Sequence, residues 1–284
     1  RYAWKLTAVP ADGGPDQEFS TPFEVKGAAP APRDYVGDGA GDLLAFTSGG
    51  VADFRAGGGG KVDPKVSGSG WTGVNEVSAA VPFDDVDGDG KNDVLVRLAG
   101  GELRVYRPAG QALTPSTPYA KIGSGWNIFD ALTSPGDLTG DGHADLVARE
   151  AATGDLYLYE ANGAGNFKAR VKIGTGWKNY LLASGAGDLN GDGKADLLAR
   201  DSSGVLWLYP GSGTGALATR VKVGSGWQVY NALVGAGDLN GDGKADLLAR
   251  DTDGVLWSYP GDGKGNFGGR VRVGGGWQMY KYLF

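Results

Sequence analysis

The sequence has no cysteine, one histidine and one methionine in 284 residues. Without cysteine there can be no disulfide and no thiolate-held metal, and the compartment stays open. One histidine leaves little room for a His-based triad. The six isolated glutamates at 18, 24, 76, 102, 150 and 160 offer no obvious acid/base pair, so no enzyme is expected. No apolar run approaches the ~18 to 20 residues that a membrane helix needs, and no membrane insertion is expected. No stretch sustains a 3.6-residue period, so helix should be nearly absent. The formal charge of −6 argues against non-specific nucleic-acid binding. The chain opens at Arg1 without a Met or a signal-peptide pattern, as a processed chain or a fragment would.

What the chain has in abundance is glycine, 53 residues, and one acidic loop written five times. The loop is DLNGDGKAD at Asp188 to Asp196 and again at Asp238 to Asp246. It is DLTGDGHAD at Asp137 to Asp145, DVDGDGKND at Asp85 to Asp93 and a degenerate DYVGDGAGD at Asp34 to Asp42. Three carboxylates in each of four loops and four in the other make 16 of the 33 in the chain. A divalent cation in each of the last four would turn the formal charge from −6 to +2. The acidity therefore reads as metal-site charge.

Calcium takes six to eight oxygen ligands from a flexible loop. Position 1 would be Asp85, Asp137, Asp188 and Asp238, and position 3 Asp87, Thr139, Asn190 and Asn240. Position 5 would be Asp89, Asp141, Asp192 and Asp242. The carbonyls of Lys91, His143, Lys194 and Lys244 would serve position 7, which leaves the imidazole of His143 pointing to solvent. Asp93, Asp145, Asp196 and Asp246 would close the site from position 9. In the first loop Asp34, Asp38 and Asp42 remain, with Val36 and Ala40 at positions 3 and 7, which makes a weaker site. Four to five structural Ca²⁺ ions are expected. The competing reading is that Asp-Gly and Asn-Gly pairs are ordinary hairpin turns.

Other landmarks share the period of about fifty. A Gly-Trp pair recurs at Trp71, Trp126, Trp177, Trp227 and Trp277. Each loop is followed by an apolar run, an alternating segment ending in an aromatic, a Gly-rich loop and a short strand such as RVKVGSGW. Four short strands per repeat predict an all-β, five-bladed β-propeller over residues 34–284. The segment from Tyr280 to Phe284 should complete the first blade beside Asp42 to Phe46 and close the ring. Residues 1–33 fall outside the repeat. Two strands, Tyr2 to Val9 and Phe19 to Val25, flank the turn Ala11 to Pro15, and a Pro/Ala linker, Ala28 to Pro32, follows. They read as the tail of an upstream Ig-like domain or a hairpin packed on the propeller.

The DxNxDGxxD loop within a propeller repeat resembles the FG-GAP/VCBS-type calcium loops of integrin-like propellers and of many secreted bacterial proteins. That resemblance implies ions that brace blade edges, and a secreted, extracellular protein. The Gly-Trp segments resemble a second family, the tachylectin-type five-bladed propeller lectins, whose repeats carry (D)NWLARAxxIGxGGW followed by xxFxFLFF. Gly275 to Phe284 follows that pattern nearly position by position, and Asn166-Phe167-Lys-Ala-Arg170 follows NWLAR with Phe for Trp. This likeness implies multivalent binding of N-acetylated amino sugars on cell-surface glycans, between neighbouring blades. An aromatic face for the sugar C–H groups beside an amide suits such a ligand. The candidates are Trp126, Trp177, Trp227 and Trp277, the pairs Asn166-Phe167 and Asn266-Phe267, and Tyr180, Tyr230 and Tyr280. Ala216-Leu217, the Pro-rich Thr114 to Pro118 and Val74 depart from the pattern, so two to four working sites are expected. The alternative for the Trp series is packing between blades. Other possible roles are an adhesion propeller that binds a partner protein without sugar, and a targeting domain of a secreted hydrolase or toxin assembly.

Two further series read as structural. Arg97, Arg149, Arg200 and Arg250 end the strand after each loop, where they could pair with the Asp that follows in the Asp201 and Asp251 units or reach a loop carboxylate, and Trp207 and Trp257 should pack within their blades.

Overall fold

The computed structural model describes residues 2–8, 17–23, 33–59, 61–86, 89–182 and 187–284. The turn expected at 11–15, the linker at 28–32 and the metal candidate Asp87 lie outside the described residues.

Five four-stranded antiparallel sheets follow one another along the chain as the repeat predicts. Blade two is Val77–Pro82, Val94–Leu98, Leu103–Tyr106 and Tyr119–Gly123. Blade three is Phe129–Gly136, Asp145–Glu150, Leu156–Tyr159 and Val171–Gly174. Blade four is Leu181–Leu182, Leu197–Arg200, Leu206–Tyr209 and Val221–Gly224, and blade five is Tyr230–Gly237, Asp246–Asp251, Leu256–Tyr259 and Val271–Gly274. Blade one takes its first strand from the C-terminus: Tyr280–Leu283, then Leu43–Thr47, Val51–Gly58 and Lys61–Ser69.

The closing register pairs Tyr280 with Thr47, Tyr282 with Phe46 and Leu283 with Ala45. Leu44 and Phe284 exchange backbone bonds of 3.2 and 2.9 Å, so the last residue is part of the ladder. The ring is thereby a closed five-bladed propeller.

Burial explains the strand order. The apolar runs after the acidic loops are buried on both faces, as continuous Val/Leu runs should be. The third strands alternate, as in Leu206-Trp207-Leu208-Tyr209, with both leucines buried. The fourth strands are exposed: Val171, Val221 and Val271 are more than half accessible. The first strands of blades two and three touch, as do those of blades five and one. Sequence order within a repeat therefore runs from the axis to the rim.

Cores lie between blades. Trp177 packs with Leu156 and Leu158 of blade three and Leu197 and Ala199 of blade four. Trp277 packs with Leu248 and Leu256 of blade five and Leu43 and Ala45 of blade one. An indole removes about 150–250 Å² from water, roughly 4–6 kcal/mol of transfer free energy at most.

Among the described residues helix is confined to short 3₁₀ turns at Gly73–Asn75, Trp126–Ile128, Trp227–Val229 and Trp277–Met279. Outside the propeller, Tyr2–Ala8 pairs antiparallel with Gln17–Phe23, from Tyr2 with Phe23 to Ala8 with Gln17. The second of these strands starts two residues earlier than its apolar residues indicate.

Candidate functional site: the two faces of the ring

Antiparallel topology sorts the connections onto two faces. The acidic loops and the Gly-rich third-to-fourth hairpins share one. The second-to-third hairpins and the Gly-Trp segments share the other.

On the acidic face each loop is folded around its own carboxylates. Asp188 accepts the amides of Gly191 at 2.7 Å and Gly193 at 2.9 Å. Asp238 and Asp137 repeat that turn on Gly241 and Gly243 and on Gly140 and Gly142. Gly191 and Gly193 have φ of 79° and 80°, a left-handed conformation that glycine adopts without a Cβ penalty. The ninth-position Asp is buried and ties the loop to its blade. One Asp196 oxygen accepts Leu189 and Asn190 amides, and the other the amide of Gly211, 3.1 Å away in the third-to-fourth hairpin. Asp42, Asp145 and Asp246 bond Gly57, Ala161 and Gly261 in the same way. Burial pushes the carboxyls of Asp42 and Asp196 up to about 6, opposed by these amides, and raises Asp145 and Asp246 too.

The loops also bridge blades. Gly215 of blade four bonds the Leu138 carbonyl of the third loop at 2.7 Å, and Gly265 of blade five bonds Leu189 of the fourth at 2.8 Å. Gly41 bonds the Asp238 carbonyl at 3.1 Å across the closing seam.

Calcium fits this face by donor chemistry: Asp, Asn and Thr side chains present hard oxygens at positions 1, 3, 5 and 9. The conformation differs from a closed ligand cage. Among the described residues no three carboxylate or histidine groups converge as a metal cluster. Loop amides instead hold the carboxylates, and His143 is exposed.

On the opposite face the Gly-Trp segments share one construction. Gly125, Gly226 and Gly276 stand before their Trp at φ of 83°, 90° and 86°. The Trp126, Trp177, Trp227 and Trp277 amides donate at 2.9–3.0 Å to Gly101, Gly154, Gly204 and Gly254 of the adjoining hairpin. A Cβ on Gly174 would stand 2.6 Å from the Trp177 Nε1, so the indole edge needs glycine there.

The arginine series clamps these turns. Arg250 Nη1 donates to the carbonyls of Trp277 at 3.1 Å and Tyr280 at 2.6 Å, and its Nε to Asn231 Oδ1 at 2.8 Å. Arg97 reaches the Trp126 and Phe129 carbonyls, Arg149 those of Trp177 and Tyr180, and Arg200 those of Trp227 and Tyr230. Each guanidinium thus holds the chain entering the next blade. Pairing with a following Asp or a loop carboxylate is not seen among the described residues; Arg149 pairs instead with Asp130 of the neighbouring first strand at 2.7 Å. The second strand delivers the side chain to the Gly-Trp face, away from the acidic loops.

The sugar candidates divide. Trp126, Trp177, Trp227 and Trp277 are only 6–8% exposed, buried in the seams. Tyr230 and Tyr280 are buried and Tyr180 is half-buried. Phe167 and Phe267 reach Trp126 and Trp227 at ring-centroid distances of 6.5 and 6.3 Å, inside the packing. The backbones of Asn166 and Asn266, both exposed, belong to third-to-fourth hairpins on the acidic face. The candidate rings therefore meet inside the seams, while the two amides stand on the face away from the Gly-Trp turns.

Sequence reading passed over what the turns expose. Asn127-Ile128, Lys178-Asn179, Gln228-Val229 and Gln278-Met279 are all exposed at the same place on a constant frame. It named Arg170 only within the NWLAR-like segment and passed over Arg220 and Arg270, which recur with the same period. Arg220 and Arg270 lie 4.0 and 4.1 Å over Trp207 and Trp257, and Arg170 lies 4.1 Å over Tyr157. The indoles of Trp207 and Trp257 are half-buried and donate to Asp201 at 2.7 Å and Asp251 at 2.8 Å.

Comparison with solved structures gives distant likenesses. A lectin from Agrocybe aegerita that recognises non-reducing terminal N-acetylglucosamine is 21% identical, covers 90% of this chain and 71% of its own, and has a TM-score of 0.46. The BP39L lectin of Burkholderia pseudomallei is 16% identical, with coverage of 96% and 81% and a TM-score of 0.46. The Photorhabdus luminescens Tc holotoxin pore is 17% identical, with 96% of this chain on 14% of that one and a TM-score of 0.42. No curated protein sequence matches the chain. The FG-GAP-like repeat matches residues 85–148, 137–199 and 188–249, each match running through two successive acidic loops. These matches span more than half of the sequence, and the chain belongs to the FG-GAP-like repeat family.

Proposed function

We propose that the protein is a glycan-binding propeller of the extracellular space that uses its Gly-Trp face for recognition. The observation that carries this reading is the constant frame with variable tips. Glycine, Trp and Arg hold the four turns that follow blades two to five in one geometry, while the two tip residues change from seam to seam. Gln228-Val229 and Gln278-Met279 set an amide beside an aliphatic group. An acetamido group has the same two parts, an amide and a methyl, so N-acetylated amino sugars are the ligand class proposed. Weak single sites on a rigid ring gain avidity when a cell surface presents sugars at matching spacing. Calcium in the acidic loops, on the opposite face, would stiffen the ring without touching the ligand. We place no catalytic step in this chain, and an upstream domain would be carried to the glycan.

A glycan array probed with the intact chain, followed by titration of N-acetylglucosamine and N-acetylgalactosamine, tests the reading. Saturable binding that weakens in Gln228→Ala and Gln278→Ala is expected. No response to any glycan at tens of millimolar, with calcium present, sinks it.

A second reading rests on the exposed apolar tips. Val74 is 89% exposed, Met279 57%, Ile128 48% and Val229 46%, and all stand in Gly-Trp turns. A protein partner would cover such a row, and a negative array with capture of that partner through this face would favour it.

A further inference from the structure

One seam is built differently from the other four. In blades two to five the second strand carries the clamp at the same register: Arg97, Arg149, Arg200 and Arg250. In blade one that position is Phe46, paired with Tyr282. The neighbouring first-strand position is Ser78, Asp130 or Asn231 where it receives the arginine Nε, and Lys281 in blade one. The turn that the clamp would hold has also grown. Trp126 leads into its blade at Phe129, whereas Trp71 leads into its blade only at Val77.

The three changes together open a cavity of about 170 Å³ at the seam between blades one and two. Phe46 and Trp71 are buried at its floor, and Thr47, Ser48 and Thr72 add hydroxyls. Across the mouth Lys281 and Glu76 make an ion pair of 3.1 Å with both side chains about half exposed. A pair so exposed is weak and opens readily.

Building on the glycan reading above, we propose that this seam is the principal sugar seat of the face and takes one pyranose ring. The volume matches about six waters, room for one ring. The charge at the mouth is balanced, which suits a neutral polyol better than an ion. The carboxylate of Glu76 accepts from a sugar hydroxyl and the ammonium of Lys281 donates to another. Trp71 and Phe46, each only 2% exposed, lie beneath the ring as the floor of the seat, so polar groups at the rim make most of the contacts. The clamp arginines fill the corresponding space at the other seams.

The test is calorimetric titration of the intact chain with N-acetylglucosamine, N-acetylgalactosamine, galactose and mannose. One site per chain, tighter than those at the Gln228 and Gln278 tips, is expected. Phe46→Arg fills the cavity with the residue found at the other seams and should weaken that site at least tenfold, with a lower melting temperature because Phe46 is buried against Trp71 and Phe284. Glu76→Ala and Lys281→Ala, surface changes that leave the core alone, should each weaken it several-fold. Wild-type affinity in a folded Phe46→Arg chain overturns the proposal. If Phe46→Arg does not fold, wild-type affinity in both alanine variants overturns it equally. In either case sugar binding elsewhere on the ring leaves the glycan reading standing. A wild-type chain that binds none of the four sugars here, and nothing on the array, removes both.

Discussion

Replacing Arg250 with Met tests whether the arginine series holds the blades together. The methionine keeps the apolar stem and deletes three hydrogen bonds: to the carbonyls of Trp277 and Tyr280 and to Asn231 Oδ1. Bonds to a charged donor contribute roughly 1.5–3 kcal/mol each when buried. Arg250 is half-buried, and burial pulls its pKa below the ordinary value, so its charge is partly desolvated. Water can replace part of what is lost. A net loss of about 2–4 kcal/mol follows, or a fall in Tm of about 5–10 °C for a domain of this size. Arg250→Lys should fall between, since an ammonium keeps the charge without the planar fork. The loss should also be local. Tyr280 opens the strand that closes the ring, so hydrogen exchange should quicken first at Tyr280–Leu283 and in its partner Leu43–Thr47. A Tm within about 1 °C of wild type, or faster exchange spread evenly over all blades, would refute the clamp.

Other outcomes can be stated now. Calcium should raise Tm relative to chelator, since each occupied site at a hundredfold excess over its Kd adds about 2.7 kcal/mol; identical melting in both would count against occupied loops. Gly211→Ala should destabilise by about 3 kcal/mol or more, because its Cβ would strike the Ala195 carbonyl, while Gly269→Ala meets nothing within 4 Å and should be silent in chemical denaturation. Desolvation raises the Asp201 carboxyl, but bonds from Ser203, the Trp207 indole and the Val205 amide outweigh it and hold the pKa at about 2. That value lies below the unfolded one near ~3.9, so its stabilisation is present above about pH 4 and is lost as pH falls toward 2. Asp201→Asn should therefore melt about 2 °C lower at neutral pH, with a gap that closes by pH 2; a gap independent of pH would show that the charge contributes nothing.

The repeat announced the fold because it is a matter of local chemistry. Asp-Gly turns, alternating Leu206 to Tyr209 and glycines that must take positive φ all act within a few residues of themselves. Even ring closure was legible, because the leftover strand at Tyr280–Leu283 matched the strand missing from the first unit. The site was less legible. Trp126, Trp177, Trp227 and Trp277 have the composition of sugar platforms, but whether an indole face is wet depends on the neighbouring blade, about fifty residues away. The same holds for the arginines, whose acceptors are carbonyls 27 to 32 residues later. Backbone carbonyls carry no sequence signature, so no pattern could have named them. The sequence by itself determined five all-β units, their strand order and the place where the ring joins. Tertiary structure alone decided which aromatics are buried, which tips face solvent and that the seam at Phe46 is open, because exposure is a property of two packed surfaces and not of either strand.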